Sequence, residues 1–147
     1  MKTKMIKAHM QTAEVYAELS TAQRMKVGAI LVKNDRIISI GYNGMPSGWD
    51  NNCEESTLWT KDGKQLSQPV LVTKPQVLHA EANAIAKVAR SSENSEGSAM
   101  FITCSPCLEC AKLIYQSGIS TVYYRDNYRS DEGLKFLSQT NIVVKQL

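Results

Sequence analysis

Residues at helical spacing mark the start of the chain: Met5, Ala8, His9, Thr12, Val15, Tyr16 and Leu19 predict an amphipathic helix over residues 4–20. Two β-branched runs follow, Lys26–Val32 and Arg36–Asn43. Lys33-Asn34-Asp35 parts them and reads as a hairpin turn. "GYNGMPSGWDNN" then has the Gly, Pro and Asn density of a shaped loop, and residues 44–78 show no sustained periodicity. That predicts a long irregular connection, of the kind that is usually functional or mobile.

From His79 the pattern turns helical in "HAEANAIAKVARS" and runs into the breaker-rich "SSENSEGS". A short buried strand "AMFITC", a helix "CLECAKLIYQSG" closed by Gly118, and a strand "ISTVYYR" come next. A helix over 130–139 and a last strand "NIVVKQ" complete the chain. Strands alternating with helices after a hairpin imply parallel neighbours joined by right-handed crossovers. The expectation is a three-layer α/β/α fold, with a mixed five-stranded sheet and helices on both faces, formed by one domain over residues 1–147.

The 147 residues, 43% hydrophobic and 21% charged, are ordinary for a soluble globular domain with a proper core. A net charge of +3 suits a protein that meets a small anion such as a nucleotide phosphate. It lacks the dense Lys/Arg blocks of a dedicated DNA binder, so no nucleic-acid partner is expected. No apolar run approaches membrane-spanning length, and "MKTKMIKAHMQTAEVYAEL" is too polar for a secretory signal, so the expectation is a cytoplasmic protein with no membrane partner.

Three of the four cysteines stand in "TCSPCLEC" as two overlapping C-x-x-C spacings. In a reducing compartment such a cluster points to metal or catalysis. Pro106 presets the first turn of a helix, which puts Cys107 at its N-terminus and Cys110 one turn on, pointing the same way. Cys104 lies before the turn in strand register and is not expected to join them.

A structural zinc needs two further protein ligands, and the chain has only two histidines, His9 and His79, and one other cysteine, Cys53. His9 reads as a helix-face or core histidine. His79 opens a helix, with Glu81 two residues on. His79, Cys107 and Cys110 would leave the fourth position of a tetrahedral zinc to water, which is the catalytic arrangement. Glu81 can reach that water, take its proton and return it to a leaving group.

His79-Ala80-Glu81, followed after 24 intervening residues by Pro106-Cys107-Leu108-Glu109-Cys110, is the H-x-E…P-C-x-x-C signature of the zinc nucleobase deaminases, and the chain resembles them. Three further stretches narrow the resemblance. "KVGAILVKNDRIISIGYNGMPSG", "HAEANAIAKVAR" and the long insert at 44–78 are similar to those of the deoxycytidylate (dCMP) deaminases, over about residues 5–147.

That resemblance implies a cytidine-deaminase-like fold and hydrolysis of dCMP to dUMP and ammonia, with one Zn2+ per subunit. It implies that the Ser105 carbonyl and the Ala80 amide hold the exocyclic amine and the base carbonyl. Asn43 would bond the sugar hydroxyl, Tyr128 would lie against the substrate, and Arg24, Lys26 and Arg129 would meet the 5′-phosphate. It further implies a homohexamer activated by dCTP with Mg2+ and inhibited by dTTP, through Gly41, Tyr42, Asn43 and Gly44. Some of these relatives carry a second, structural zinc. Here Ala22 and Gln23 stand where a cysteine would be wanted, so the rigidity of the insert is open.

Blander readings exist for several of these residues. Asn43 before Gly44 also suits a turn, Tyr128 suits a half-buried aromatic, and each Arg or Lys suits a solvated surface. Trp49 and Trp59 fit either a subunit interface or a pocket cover. A polynucleotide or tRNA deaminase would need a basic, aromatic-bearing groove, against which the modest charge and the insert argue. A non-catalytic zinc module would be marked by loss of the glutamate, yet Glu81 is present.

Overall fold

A computed structural model describes residues 1–147. The elements in chain order are α1 (Thr3–Ala17), β1 (Gly28–Lys33), β2 (Arg36–Tyr42), β3 (Glu54–Trp59), β4 (Gln65–Thr73) and α2 (Ala80–Ala89). There follow β5 (Ala99–Cys104), α3 (Leu108–Gln116), β6 (Thr121–Asp126), α4 (Glu132–Ser138) and β7 (Val143–Gln146).

Five strands form one mixed sheet in the order β2-β1-β5-β6-β7. β1 is antiparallel to both β2 and β5, while β5–β6 and β6–β7 are parallel. The expected mixed five-stranded sheet is therefore present. The β1–β2 hairpin closes at Asn34 and Asp35, both with positive φ (52° and 58°). Two such residues give a turn whose twist matches the strands, and Asn and Asp tolerate it best among side-chain-bearing residues.

β1 is buried on both faces, which explains its unbroken apolar run. Ile30, Val32, Phe101 and Tyr123 pack with Met10 and Ala13 of α1. The alternate residues Ala29, Leu31, Met100, Ile102 and Val122 pack with Ala84 and Val88 of α2 and Ala111 and Ile114 of α3. Strand alternation thus separates the two helical layers. Gly41 lets α2 come down onto β2: a Cβ there would stand 2.2 Å from the Ala80 carbonyl oxygen.

The reading of residues 44–78 as irregular is corrected. β3 and β4 pair there as an antiparallel hairpin, from Glu54↔Thr73 to Trp59↔Gln65. Its turn is closed by Thr60, whose Oγ1 accepts from the Lys64 amide at 2.9 Å, with Gly63 at φ 85°. Neither face of the hairpin is consistently buried, and Leu58, Trp59, Val70 and Leu71 are exposed. Without a buried face there is no alternation to read, and Pro69 inside β4 argues against a strand except at an edge. The insert is shut at its base by Gly44 and Leu78, which exchange backbone hydrogen bonds of 3.1 and 2.8 Å. No helix is long and apolar enough to cross a membrane.

His9 is a core histidine. It is buried, tilted against the Phe101 ring at 5.2 Å, and its Nε2 has no hydrogen-bond partner. Burial holds its imidazole below the ordinary value, partly opposed by the charge of Asp35. The unfolded chain therefore takes up this proton more readily than the folded one. Well above about pH 6.5 the site has no effect, and stability falls as pH drops through and below that value. Urea midpoints should decline between about pH 7.5 and 5, and His9→Leu should flatten part of that decline. An equal slope in the variant would exclude His9 as a source.

Candidate metal and active site

Two helix N-termini meet at the edge of the sheet where β2, β5 and β6 end and β1 begins. Ligands in open α/β sheets collect at the carboxyl ends of the parallel strands. His79 is the N-cap residue of α2 and Cys107 that of α3, both in extended conformation (ψ 152° and 170°), and neither side chain caps its helix. Both side chains are free to point outward between the helices. Cys110, one turn into α3, is buried beside them.

The His79 Nδ1 lies 3.5 Å from Cys107 Sγ and 3.4 Å from Cys110 Sγ, and the three ligand atoms are all within 4.8 Å of one another. A tetrahedral zinc with Zn–S of about 2.3 Å and Zn–N of about 2.0 Å requires N···S separations of about 3.5 Å. The donor set and its spacing fit that ion.

The electrostatics point the same way. Hydrogen bonding from Cys110 and from His79 lowers the Cys107 thiol to about 4. The Cys107 sulfur in turn raises Cys110, and burial adds to it. The same thiolate raises the His79 imidazole. A dication between the two sulfurs would hold both as thiolates. Cys104 stays apart from the cluster. It is buried in β5, and desolvation pushes its thiol up to about 11.

Glu81 sits in the first turn of α2 and is only 4% exposed. Burial pushes its carboxyl up to about 7, against the pull of its own backbone amide and of the His79 charge. A group poised near neutrality can both accept and return a proton. Ala80, the first residue of α2, is buried, and its amide is one of the helix-start donors without an intrahelical partner.

The neighbouring connections complete the wall. Ser105 is buried, its amide donates to the Asp126 carbonyl at 2.8 Å, and its Oγ accepts from the Tyr128 amide at 2.7 Å. Tyr128 is half-buried, with the Arg129 guanidinium 5.4 Å from its ring centroid.

Asn43 leaves β2 one residue before the Gly44–Leu78 bridge, and so close to His79. Its Oδ1 accepts from the Val27 amide and its Nδ2 donates to the Met25 carbonyl, both at 2.8 Å. One lone pair and one amide proton remain for a further partner. Arg24 and Lys26 lie exposed on the segment Asn43 fastens. Arg24 Nη1 donates to Thr73 Oγ1 at 3.2 Å, and Lys26 pairs with Glu18 at 3.9 Å. Gly41 is buried under α2, Tyr42 gives its carbonyl to Asn83 Nδ2, and Lys87 stands over the Tyr42 ring.

Sequence reasoning missed the residues that hold this segment. Ser20 Oγ donates to the Asn43 carbonyl at 2.8 Å. Glu54 Oε1 accepts from the amides of Gln23 and Arg24 at 2.8 and 3.1 Å, with its Oε2 buried and unpartnered. Thr21 Oγ1 donates to the Asn51 carbonyl and meets Cys53 Sγ at 3.5 Å. The start of the insert is therefore fastened to residues 21–24 by hydrogen bonds. No local signal in the sequence marks Glu54 for that role.

The fold is a mixed α/β sheet whose strand ends carry a His-Cys-Cys group that could hold a metal ion, with the buried Glu81 on the helix that follows His79. The family model for the "cytidine and deoxycytidylate deaminase zinc-binding region" matches residues 3–126, and the chain belongs to that family. It is 34% identical over 150 residues to the deoxycytidylate deaminase of Enterobacteria phage T4, covering 81% of this chain and 76% of that one. It is 40% identical over 128 residues to the human deoxycytidylate deaminase, covering 84% of this chain and 66% of the human protein. The crystal structure of dCMP deaminase from the cyanophage S-TIM5, in complex with dCMP and dUMP, superposes with a TM-score of 0.86. It is 44% identical and covers 100% of this chain and 99% of that one.

Proposed function

We propose that the chain hydrolyses dCMP to dUMP and ammonia, with zinc held by His79, Cys107 and Cys110, and Glu81 moving the protons. The carrying observation is the buried Glu81 carboxyl in the first turn after His79, whose Nδ1 lies 3.5 and 3.4 Å from the Cys107 and Cys110 sulfurs. The full-length likeness to a structure holding dCMP and dUMP supports the choice of substrate.

Zinc, when bound, supplies a Lewis acid that makes water nucleophilic near neutral pH. Glu81 would take the first proton from water and pass it to N3 of the cytosine ring, where it stays in the product, as the water oxygen bonds to C4. Glu81 then carries the second proton to the amino group on C4. The C4–N bond breaks, ammonia leaves, and the water oxygen remains as the C4 carbonyl. The Ser105 carbonyl would accept from the departing amine, and the Ala80 amide would donate to the base carbonyl. Asn43, through its free lone pair and proton, would bond the sugar hydroxyl. Tyr128 would flank the nucleotide, and Arg129, Arg24 and Lys26 would serve the 5′-phosphate.

The resemblance extends the proposal to a cytoplasmic homohexamer, activated by dCTP with Mg2+ and inhibited by dTTP, with Gly41 to Gly44 in the effector region. The test follows loss of cytosine absorbance with dCMP, deoxycytidine and short single-stranded DNA, each with and without Mg2+–dCTP or dTTP. Turnover of dCMP alone supports the substrate, and a response to either effector supports the regulation. Turnover of deoxycytidine or DNA with dCMP untouched would keep the zinc chemistry and discard the phosphate contacts.

A further inference from the structure

The first turn of α4 lies directly against the turn that presents Cys107. Gly133, buried in α4, would carry a Cβ 2.0 Å from the Pro106 carbonyl oxygen, 2.8 Å from the Cys107 carbonyl oxygen and 2.9 Å from its carbonyl carbon. Side chains do not approach within 3.0 Å of such atoms, and here the obstacles are backbone, which cannot swing aside. Backbone conformation gives no reason for this glycine, because the positive-φ glycines are Gly48, Gly63, Gly97 and Gly118. Helix propensity gives none either, since glycine is among the poorest formers and α4 has only seven residues. What remains is the contact itself.

The same segment grips the turn at a second point. Ser105 N donates to the Asp126 carbonyl, and Ser105 Oγ, in a residue 3% exposed, accepts from the Tyr128 amide. Residues 126–133 therefore hold residues 105–107 by two hydrogen bonds and one side-chain-free contact. α4 is itself anchored from behind, with Leu137 fully buried in the main core.

We propose that Gly133 is a positioning residue for the metal site: its lack of a side chain seats α4 on the Pro106 and Cys107 carbonyls and sets where the Cys107 sulfur stands relative to His79 and Cys110. The inference rests on the metal reading given above. An added methyl group must push the turn outward, and a shift of about 1 Å in a catalytic constellation costs about 10²-fold in rate.

The experiment compares wild type, Gly133→Ala and Glu132→Ala, an exposed position one residue earlier in α4. Each protein is stripped with a chelator and reloaded with cobalt(II), and the thiolate–cobalt absorption bands are recorded beside dCMP turnover. Glu132→Ala should keep wild-type bands and turnover. Gly133→Ala should keep its helical circular dichroism, show shifted and weakened bands, and lose at least about tenfold in kcat with KM little changed. Wild-type bands and a kcat within about twofold in Gly133→Ala overturn the inference while the metal reading stands. A wild-type protein without thiolate–cobalt bands overturns the metal reading and this inference with it. Should Gly133→Ala fail to fold, Ser105→Ala decides, because it loosens the same grip without adding volume. Shifted bands there support the inference, and unchanged bands overturn it.

Discussion

Glu81→Gln is expected to bind metal as wild type does and to lose about 10²- to 10⁴-fold in kcat. The amide has the shape of the carboxyl it replaces, so α2 and the His79 N-cap keep their places. It cannot take a proton from water or return one to a leaving amine, which is the transfer proposed for Glu81. Burial already works against the charged carboxylate, pushing the group up to about 7. A neutral amide at a site 4% exposed escapes that penalty, so the thermal midpoint should hold or rise. The check is metal content by atomic absorption, a melt, and dCMP turnover on the same preparation. Turnover above a tenth of wild type would remove Glu81 from the proton path.

Cys110→Ser and Cys104→Ser separate the two overlapping C-x-x-C spacings. Cys110 Sγ is 3.4 Å from His79 Nδ1 and belongs to the three-ligand group. Cys104 is buried in β5 outside that group. Replacing the Cys110 thiolate with a hydroxyl leaves two ligands, too few for a closed or a catalytic zinc site. Cys110→Ser should therefore purify with little metal and no turnover. A metal present at about 100 times its dissociation constant contributes about 2.7 kcal/mol, which for a chain of this size is about 5–10 °C of melting temperature. The variant should lose at least that much, and chelator should no longer lower its midpoint further. Cys104→Ser puts a hydroxyl into the core and should cost about 1–3 kcal/mol, yet keep one metal per chain. The reverse pattern would assign the metal to the first spacing.

Much of the fold was legible because its signals are local. The run from Gly28 to Lys33 is apolar on both faces since the sheet is covered on both sides. Asn34 and Asp35 sit in a tight hairpin turn because their short polar side chains tolerate positive φ. Gly118 ends α3 at φ 76° for a related reason. The β3–β4 hairpin was missed because its residues are mostly exposed and Pro69 interrupts it. Asp62-Gly63 at its tip was the one turn signal available.

The chemistry-bearing spacings are properties of the sequence alone. Glu81 falls in the first turn behind His79, and Cys110 falls one turn behind Cys107, because an α-helix repeats every 3.6 residues. Helical spacing groups Cys107 with Cys110, whereas Glu81, two residues on, can share a side with His79 only because His79 is an extended N-cap residue and not part of the helix. Only the tertiary structure decides that the two helix starts, 28 residues apart in the chain at His79 and Cys107, close to 3.5 Å. That closure depends on the strand order β2-β1-β5-β6-β7, which places the β2, β5 and β6 ends on one edge. Strand order is a set of long-range pairings that no local pattern encodes. The same holds for Gly133, whose neighbours in "DEGLKF" give no hint that α4 rests on the Cys107 turn.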